Sequence, residues 1–508
     1  MTSRSGGWRP TRSSLDPAPD EVRAMGRAAI EVVAEYLGAL PNLPIHPDTT
    51  SRGIREKLDT TLPVEGKDFQ ALLDHFRDVL IPATRHNAHP RFFGYVASPG
   101  SAATAYADLL ASALNSNVTS WRSAPGPTEL ERLTIDWVKQ IIGYPASADG
   151  LFISGGSLAN FSGIAAARDA KAPVRVEDAG LRGLERPLRL YVSSECHHSA
   201  AKAAGLLGIG RDNVRVVGVD ERLRIDVRDL ARAIEEDLAR GYQPFCVVAS
   251  PGTVGTGACD PLDAVADVAA RHDLWFHVDA CYGGFAALAP SKRKLFRGIE
   301  RADSVALDPH KWLYVPSDCS CVLYRDPARA RATFGHDADY IRVLAHHADD
   351  EAYAFWDYGP ELTRRFRALK VWMMLAHVGT RALGEAIEGN CRCARRLAEL
   401  VEASADCELL APVELSIFCF RYVPPALKAE LVGASRDRRA ALDRELDTLN
   451  ERILAEVQRG GSSYLSNATV GGRFALRGCV LNFRTTERDM EILLEDVRRA
   501  GRRLSSGM

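Results

Sequence analysis

From Leu151 to Tyr324 short apolar runs alternate with stretches of helical periodicity, and no other feature restricts the fold of this chain as much. The runs Leu151–Ile153, Leu188–Val192, Val214–Val219, Phe245–Ala249, Trp275–Val278, Ser304–Leu307 and Ser320–Tyr324 read as strands, with helices between most of them. Repetition of strand and helix builds a parallel sheet flanked by helices, so the expected class is α/β.

Outside that region the pattern changes. Residues 1–20 are rich in Gly, Pro and Ser and read as a disordered tail. Glu21–Leu40, ending at Pro41, and Phe69–Leu80 carry apolar residues at helical spacing, which makes 21–100 a helical N-terminal arm. A large domain is expected over 101–370, opening with helical sequence from Ala102 to Ile142. Thr333–Asp350 has no periodicity and reads as a lid, because unstructured loops of that length are usually functional or disordered. Leu362–Val378 reads as a long connecting helix. Glu408–Tyr422, Arg473–Arg484 and the helix Glu487–Arg503 suggest a small α+β domain over 371–508.

Composition narrows the function. The 508 residues carry 64 basic and 66 acidic side chains, a net charge of −2 that argues against nucleic acid as the main partner. The longest apolar runs, such as Val371–Ala376, are far shorter than the ~18 residues a membrane span needs. Eleven cysteines, an odd number with no CxxC pair, fit buried thiols in a reducing compartment, and the cytoplasm is the expected location. The first residues hold Arg4, Arg9 and Arg12 without an acid, but Gly6, Gly7 and Pro10 spoil any amphipathic targeting helix.

In open α/β sheets ligands bind beyond the carboxyl ends of the strands, so polar residues that follow an apolar run are the place to search. Ser154-Gly155-Gly156-Ser157 follows one strand and leads into a helix, where free backbone amides suit an anion; ordinary turn chemistry is the alternative. Asp279 closes Trp275-Phe276-His277-Val278, and a carboxylate there needs a cation or donor; a helix cap or ion pair is the plain reading. Lys311 is the only one of ten lysines that follows a buried strand. A lysine in a partly desolvated pocket has a lowered pKa and attacks carbonyls, although a surface lysine would satisfy the same pattern. Glu195-Cys196-His197-His198-Ser199 follows a fourth strand, where a histidine could cap a helix, bind metal or stack on a flat ring. Metal is the weakest of these, since no HExxH or Cys/His spacing occurs and the other pair, His346-His347, lies in the lid. Together, an anion cradle, a carboxylate, an imidazole and a lysine at the ends of different strands match what pyridoxal 5'-phosphate requires.

At this point the sequence resembles a known family, the pyridoxal-phosphate-dependent group II amino acid decarboxylases, which act on aromatic amino acids, tyrosine, tryptophan, histidine or glutamate. The resemblance runs from about His89 to the C-terminus. It is carried by His89-Pro90-Arg91-Phe92-Phe93-Gly94-Tyr95, Pro127-Thr128-Glu129-Leu130-Glu131, His277-Val278-Asp279-Ala280, Asp308-Pro309-His310-Lys311-Trp312 and Arg364-Arg365-Phe366-Arg367-Ala368-Leu369-Lys370. It implies fold-type I, with a mainly parallel seven-stranded sheet, and a homodimer with active sites at the interface.

By the same resemblance Lys311 attaches the cofactor, Asp279 meets the ring nitrogen, and His197 stacks on the ring. Gly156 and Ser157 hold the phosphate with His310 close by, and Cys281 sits beside the ring where alanine is common. Tyr340, in the lid, falls where the family places the tyrosine that protonates the α-carbon across the dimer interface. Relatives with phenylalanine there form aldehydes, so Tyr340 favours simple decarboxylation to the amine. Tyr95, Val96, Thr119 and Thr363 fall at substrate-pocket positions, less aromatic than in aromatic-selective animal enzymes. Thr363 leans the reading toward phenyl, phenol, catechol, imidazole or branched aliphatic side chains over indole. The alternatives are an aldehyde synthase, an aminotransferase or a desulfurase on the same cofactor; glutamate and histidine decarboxylation rank below the hydrophobic reading.

Overall fold

The computed structural model describes residues 15–58, 60–335 and 353–506. The chain divides between His89 and Pro90 into two compact units. The first is helical. Helix α1, Pro19–Ala39, opens with proline at its first position and Asp20 and Glu21 in its first turn, where acidic groups meet the positive end of the helix dipole. Helix α2, Phe69–His75, is capped by Asp68, whose side chain accepts from Gln70 N at 2.9 Å. It runs on into a wider turn, Phe76–Leu80. Both expected helices are present. The expected tail lies outside the described residues as far as Ser14.

In the second unit all seven expected strands form one sheet: β1 Asp149–Ile153, β2 Leu188–Ser193, β3 Val214–Val217, β4 Gln243–Ala249, β5 Trp275–Asp279, β6 Ser304–Leu307 and β7 Ser320–Tyr324. Their order is β1-β7-β6-β5-β4-β2-β3. Every residue of β2, β5, β6 and β7 is buried, as a sheet covered on both faces demands. The sheet is mixed: β7 runs antiparallel to both β1 and β6. The reason is local. Residues 308–319 join β6 to β7 and hold one short helix, Pro309–Trp312, too little to carry the chain back along the sheet for a parallel pairing. That short return places the Lys311 turn against the carboxyl end of β6 and the start of β7.

Two helices of this unit bear on the site: α3, Pro125–Ile142, and α4, Gly156–Lys171, which begins directly after β1. The expected helix Leu362–Val378 is instead α5, Ala368–Glu402, kinked at Gly379 (φ 80°, ψ 155°), a backbone shape that suits glycine. Its late start follows from Arg364, which is wholly buried. Arg364 N donates to Asn117 Oδ1 at 2.8 Å, and its guanidinium donates to the carbonyls of Val118 and Phe152, each at 2.7 Å, and to Glu131. Glu131 also accepts from Phe152 N at 2.9 Å. The pair therefore ties α3, β1 and the entry to α5 together. Burial pushes the Glu131 carboxyl up, with Arg364 opposing it. Arg364→Ala strands a carboxylate with neither solvent nor counter-ion, and a loss of roughly 3–5 kcal/mol in urea unfolding is expected; an unchanged denaturation midpoint would contradict this role.

The C-terminal segment forms a four-stranded antiparallel sheet of β8 Cys407–Leu409, β9 Ile417–Tyr422, β10 Ser466–Val470 and β11 Arg473–Cys479, in the order β10-β11-β9-β8. It packs with Arg436–Gly460 and Glu487–Ser505 around Phe418, Phe420, Leu449 and Leu493. Residues from Pro90 onward belong here and not to the arm. Phe93 N donates to Tyr464 O at 2.8 Å, Cys479 N donates to Phe93 O at 2.9 Å, and the Phe93 ring is buried against Phe418. The expected lid lies outside the described residues except for Thr333, Phe334 and Gly335, of which Thr333 and Phe334 close the helix Pro327–Phe334.

Candidate active site

A cavity of about 310 Å³ lies beyond the carboxyl ends of the central strands. Its lining includes Ser154–Ser157, Asn160, His197, Asp279, Cys281, Asp308, His310 and Lys311. The four polar sites chosen from strand ends are thus brought to one place. At the cradle, Leu158 N and Ala159 N turn back to Gly155 O, while the amides of Gly156 and Ser157 have no acceptor among the described residues. An anion at the start of this 16-residue helix would receive them. Glycine at position 156 lets the turn sit close to the cavity wall: a Cβ there would come within 2.7 Å of Cys281 Sγ and 2.9 Å of both Asp308 carboxylate oxygens, and those side chains would have to shift.

Asp279 ends β5, almost fully buried. Its Oδ1 accepts from Cys281 N at 3.2 Å and its Oδ2 from Asn160 Nδ2 at 3.0 Å. Asn160 Nδ2 also donates to Ser199 Oγ at 2.9 Å. Turning the amide over would set its oxygen against the carboxylate, so the orientation is fixed by the network. Asn160 Oδ1 lies 2.9 Å from His277 Nε2, and His277 Nδ1 lies 2.8 Å from Ser304 Oγ. Burial pushes His277 down to about 4, against the pull of Asp279, so its ring is neutral near neutrality. An amide oxygen only accepts, so the proton sits on His277 Nε2 and Nδ1 accepts from the Ser304 hydroxyl. Ser304 in turn accepts the Trp275 indole N–H at 2.8 Å. The chain of donors therefore runs one way, from Trp275 to Asp279.

A branch reaches His197. Ser199 Oγ accepts from Asn160 and donates to His197 Nδ1 at 2.7 Å, which leaves the His197 proton on Nε2. Burial lowers the pKa of His197, with Asp279 opposing. Its ring lines the cavity, whereas His198, centred 4.1 Å away and tilted 43°, is exposed.

Lys311 differs from expectation. Its Nζ lies 2.8 Å from Asp308 Oδ2. Burial works against the ammonium, but Asp308, then Cys281 and Asp279, outweigh it and the pKa is raised, not lowered. The sequence reading allowed for desolvation and missed the counter-ion three residues before it. His310 donates from Nδ1 to Cys319 O at 2.6 Å and holds Nε2 3.8 Å from Asp308 Oδ2. The Cys281 thiol is pushed well up by burial, then by Asp279 and Asp308, and stays protonated.

The four positions named for the substrate pocket do not line this cavity. Tyr95 is half exposed, Val96 is partly buried, Thr363 is exposed, and Thr119 is buried with an Oγ1 that has no hydrogen-bond partner. Arg477, buried, donates to the carbonyls of Tyr95 and, at 2.8 Å, Val254, so it joins the Tyr95 segment to a loop that lines the cavity. Tyr340 lies outside the described residues. The sequence reading missed Asn160, Ser199, Asp308 and the role of His277. Asn160 had a legible signal, since it stands four residues after Gly156 and therefore on the same helix face as the cradle.

A free-amide cradle, a strand-end carboxylate and a lysine around one cavity fit a phosphorylated aromatic aldehyde. Comparison with known proteins agrees: the model described as the pyridoxal-dependent decarboxylase conserved domain matches residues 52–423. The chain belongs to this family of decarboxylases. Aromatic-L-amino-acid decarboxylase of Bacillus atrophaeus is 34% identical over 94% of this chain and 95% of its own length. Cysteine sulfinic acid decarboxylase of Homo sapiens is also 34% identical, over 97% of this chain and 98% of its own. Among solved structures, Oryza sativa TDC with PLP and tryptamine superposes with a TM-score of 0.87 at 29% identity, covering 97% of this chain and all of that one. Mouse CSAD superposes at 0.88 with 31% identity, covering 96% of this chain and 99% of that one. The decarboxylase is a carboxy-lyase of fold-type I that uses pyridoxal 5'-phosphate.

Proposed function

We propose that this decarboxylase acts on an L-amino acid with an aromatic or other hydrophobic side chain, releasing CO₂ and the primary amine. The observation that carries the reading is the convergence of Lys311, Asp279, His197 and the Gly156-Ser157 turn on one cavity, in a chain similar to aromatic-L-amino-acid, tryptophan and tyrosine decarboxylases. Bound pyridoxal 5'-phosphate supplies an electron-withdrawing ring that stabilises the carbanion left when CO₂ departs. The amides of Gly156 and Ser157, with His310 close by, would hold the phosphate. Asp279, aimed by Asn160, would keep the proton on the ring nitrogen. His197 and Cys281 would flank the ring, and Lys311 would make the covalent attachment. Tyr340 then delivers a proton to the α-carbon.

Amine release from the common amino acids, dihydroxyphenylalanine and cysteine sulfinate tests the substrate class. Aromatic or branched aliphatic substrates should be turned over and acidic ones spared. The similarity to human cysteine sulfinic acid decarboxylase favours a second reading, an acidic side chain. Against it, among the described residues the cavity lining contains Lys311 and no arginine, and Arg477 is engaged with backbone carbonyls. Preferential release of amine from cysteine sulfinate would replace the first reading with the second.

Tyr340→Phe removes the proposed proton donor. In the presence of dioxygen, which is reduced to peroxide while water supplies the carbonyl oxygen, the expected product shifts from amine toward aldehyde and ammonia, and amine yield falls at least ~10-fold; an unaltered amine yield would remove Tyr340 from the mechanism. A cytoplasmic homodimer completes the proposal. Eleven free cysteines suit a reducing compartment, and Tyr95 and Thr363, exposed and absent from the cavity of their own chain, are available to that of a second copy. Light scattering of the purified enzyme tests the dimer.

A further inference from the structure

Asp308 faces opposite demands before and after the cofactor enters. It is buried between the end of β6 and the Lys311 turn, with Oδ2 2.8 Å from Lys311 Nζ and 3.8 Å from His310 Nε2, while Oδ1 accepts from the Ser320 hydroxyl on β7. Both oxygens stand within 2.9 Å of where a side chain on Gly156 would begin, so this carboxylate underlies the first turn of the anion cradle. The Cys281 thiol borders it from the turn after β5, and among the described residues Asp279, His197, Tyr282 and Asp318 complete the charged and titratable groups of the cavity wall. Burial pushes the Asp308 carboxyl up, but Lys311 and then His310 hold it below the usual range.

Both sides of that balance change if the cofactor sits as proposed above, a placement on which this inference rests. When the Lys311 ammonium condenses with an aldehyde, two of its hydrogens leave with the oxygen as water and one stays on nitrogen. The nitrogen keeps its positive charge but is tied to the cofactor's carbon with one hydrogen in place of three, so the close ammonium contact with Asp308 is loosened. At the same time a phosphate dianion arrives at the amides of Gly156 and Ser157, on the turn that Asp308 underlies. Two anions cannot share that turn without one becoming neutral.

We propose that Asp308 takes up a proton from solvent as the cofactor loads, and thereafter serves as a neutral carboxylic acid whose O–H is offered to the anion in the cradle. An asparagine would donate there at every pH. Aspartic acid makes loading proton-linked: the condensation itself exchanges no proton with solvent and Asp308 takes up one, so acid favours loading.

The test is infrared difference spectroscopy of enzyme stripped of cofactor and then given pyridoxal 5'-phosphate, with attachment followed by its visible absorbance. Loading should produce the carbonyl stretch of a protonated carboxylic acid, shifted when the enzyme is made with carboxyl-¹³C aspartate and lost in Asp308→Asn. The isotope shift is read on the wild-type chain and does not depend on the variant folding. An attached cofactor without a label-sensitive acid band overturns the proposal, as does a band retained in a folded Asp308→Asn enzyme. Failure of the wild-type chain to attach the cofactor at all overturns the site reading beneath it, and is told apart by the missing visible absorbance.

Discussion

Replacing Lys311 with alanine should abolish amine formation, by at least ~10³-fold, and end covalent attachment of the cofactor. Only Lys311 among the ten lysines lines the cavity. Lys139 donates to the carbonyls of Ala146 and Ala148, Lys292 to Glu414 O, and Lys428 to Ser404 O and Cys407 O, while Lys171 and Lys370 pair with Asp273 and Asp108. Lys57, Lys67, Lys202 and Lys294 are exposed. No neighbour can therefore take over. Borohydride reduction followed by mass spectrometry is the check. Wild-type chain should retain the cofactor's mass on the peptide containing Lys311, and the variant should retain none. Cofactor trapped on any other lysine of the wild-type enzyme would end the assignment.

Asp279→Asn should lower kcat by roughly 10²- to 10⁴-fold with a much smaller change in KM. An amide is the same size as the carboxylate but carries no charge to hold a proton on the ring nitrogen, and the electron sink weakens accordingly. The loss should be confined to the chemical step, because the cradle and the attaching lysine are untouched. Asn160 makes the variant informative, since its Nδ2 lies 3.0 Å from Asp279 Oδ2 and donates to it. A second amide can still offer its oxygen to that donor, so the polar chain from Trp275 survives and the fold should be retained. A variant with kcat within a factor of ~10 of wild type would show that the ring nitrogen is served from elsewhere.

Much of the architecture is legible along the chain because strands are local events. All seven apolar runs became strands within a few residues of their expected bounds, since a buried strand needs only a short apolar segment between turns. The direction of β7 is not local, for it depends on what the intervening residues can span. The end of α5 was misjudged for a related reason: Gly379 bends the helix without ending it, because packing on both sides of the kink continues to Glu402. Pro90–Tyr95 left the arm because its hydrogen-bond partners, Tyr464 and Cys479, lie more than 350 residues away in sequence.

The site divides along the same line. Sequence alone determined which residue types stand at the strand ends, and with them the cradle, Asp279, His197 and Lys311, because each lies within five residues of the end of an apolar run. Tertiary structure alone decided how those groups are charged and aimed. Asn160 meets Asp279 from 119 residues away, and Glu131 meets Arg364 from 233. Even the short step from Asp308 to Lys311 became an ion pair only once a one-turn helix brought the two side chains together and burial removed the water between them and bulk solvent. Electrostatic and hydrogen-bond energies depend on distance and dielectric in space, and neither is written in the order of residues.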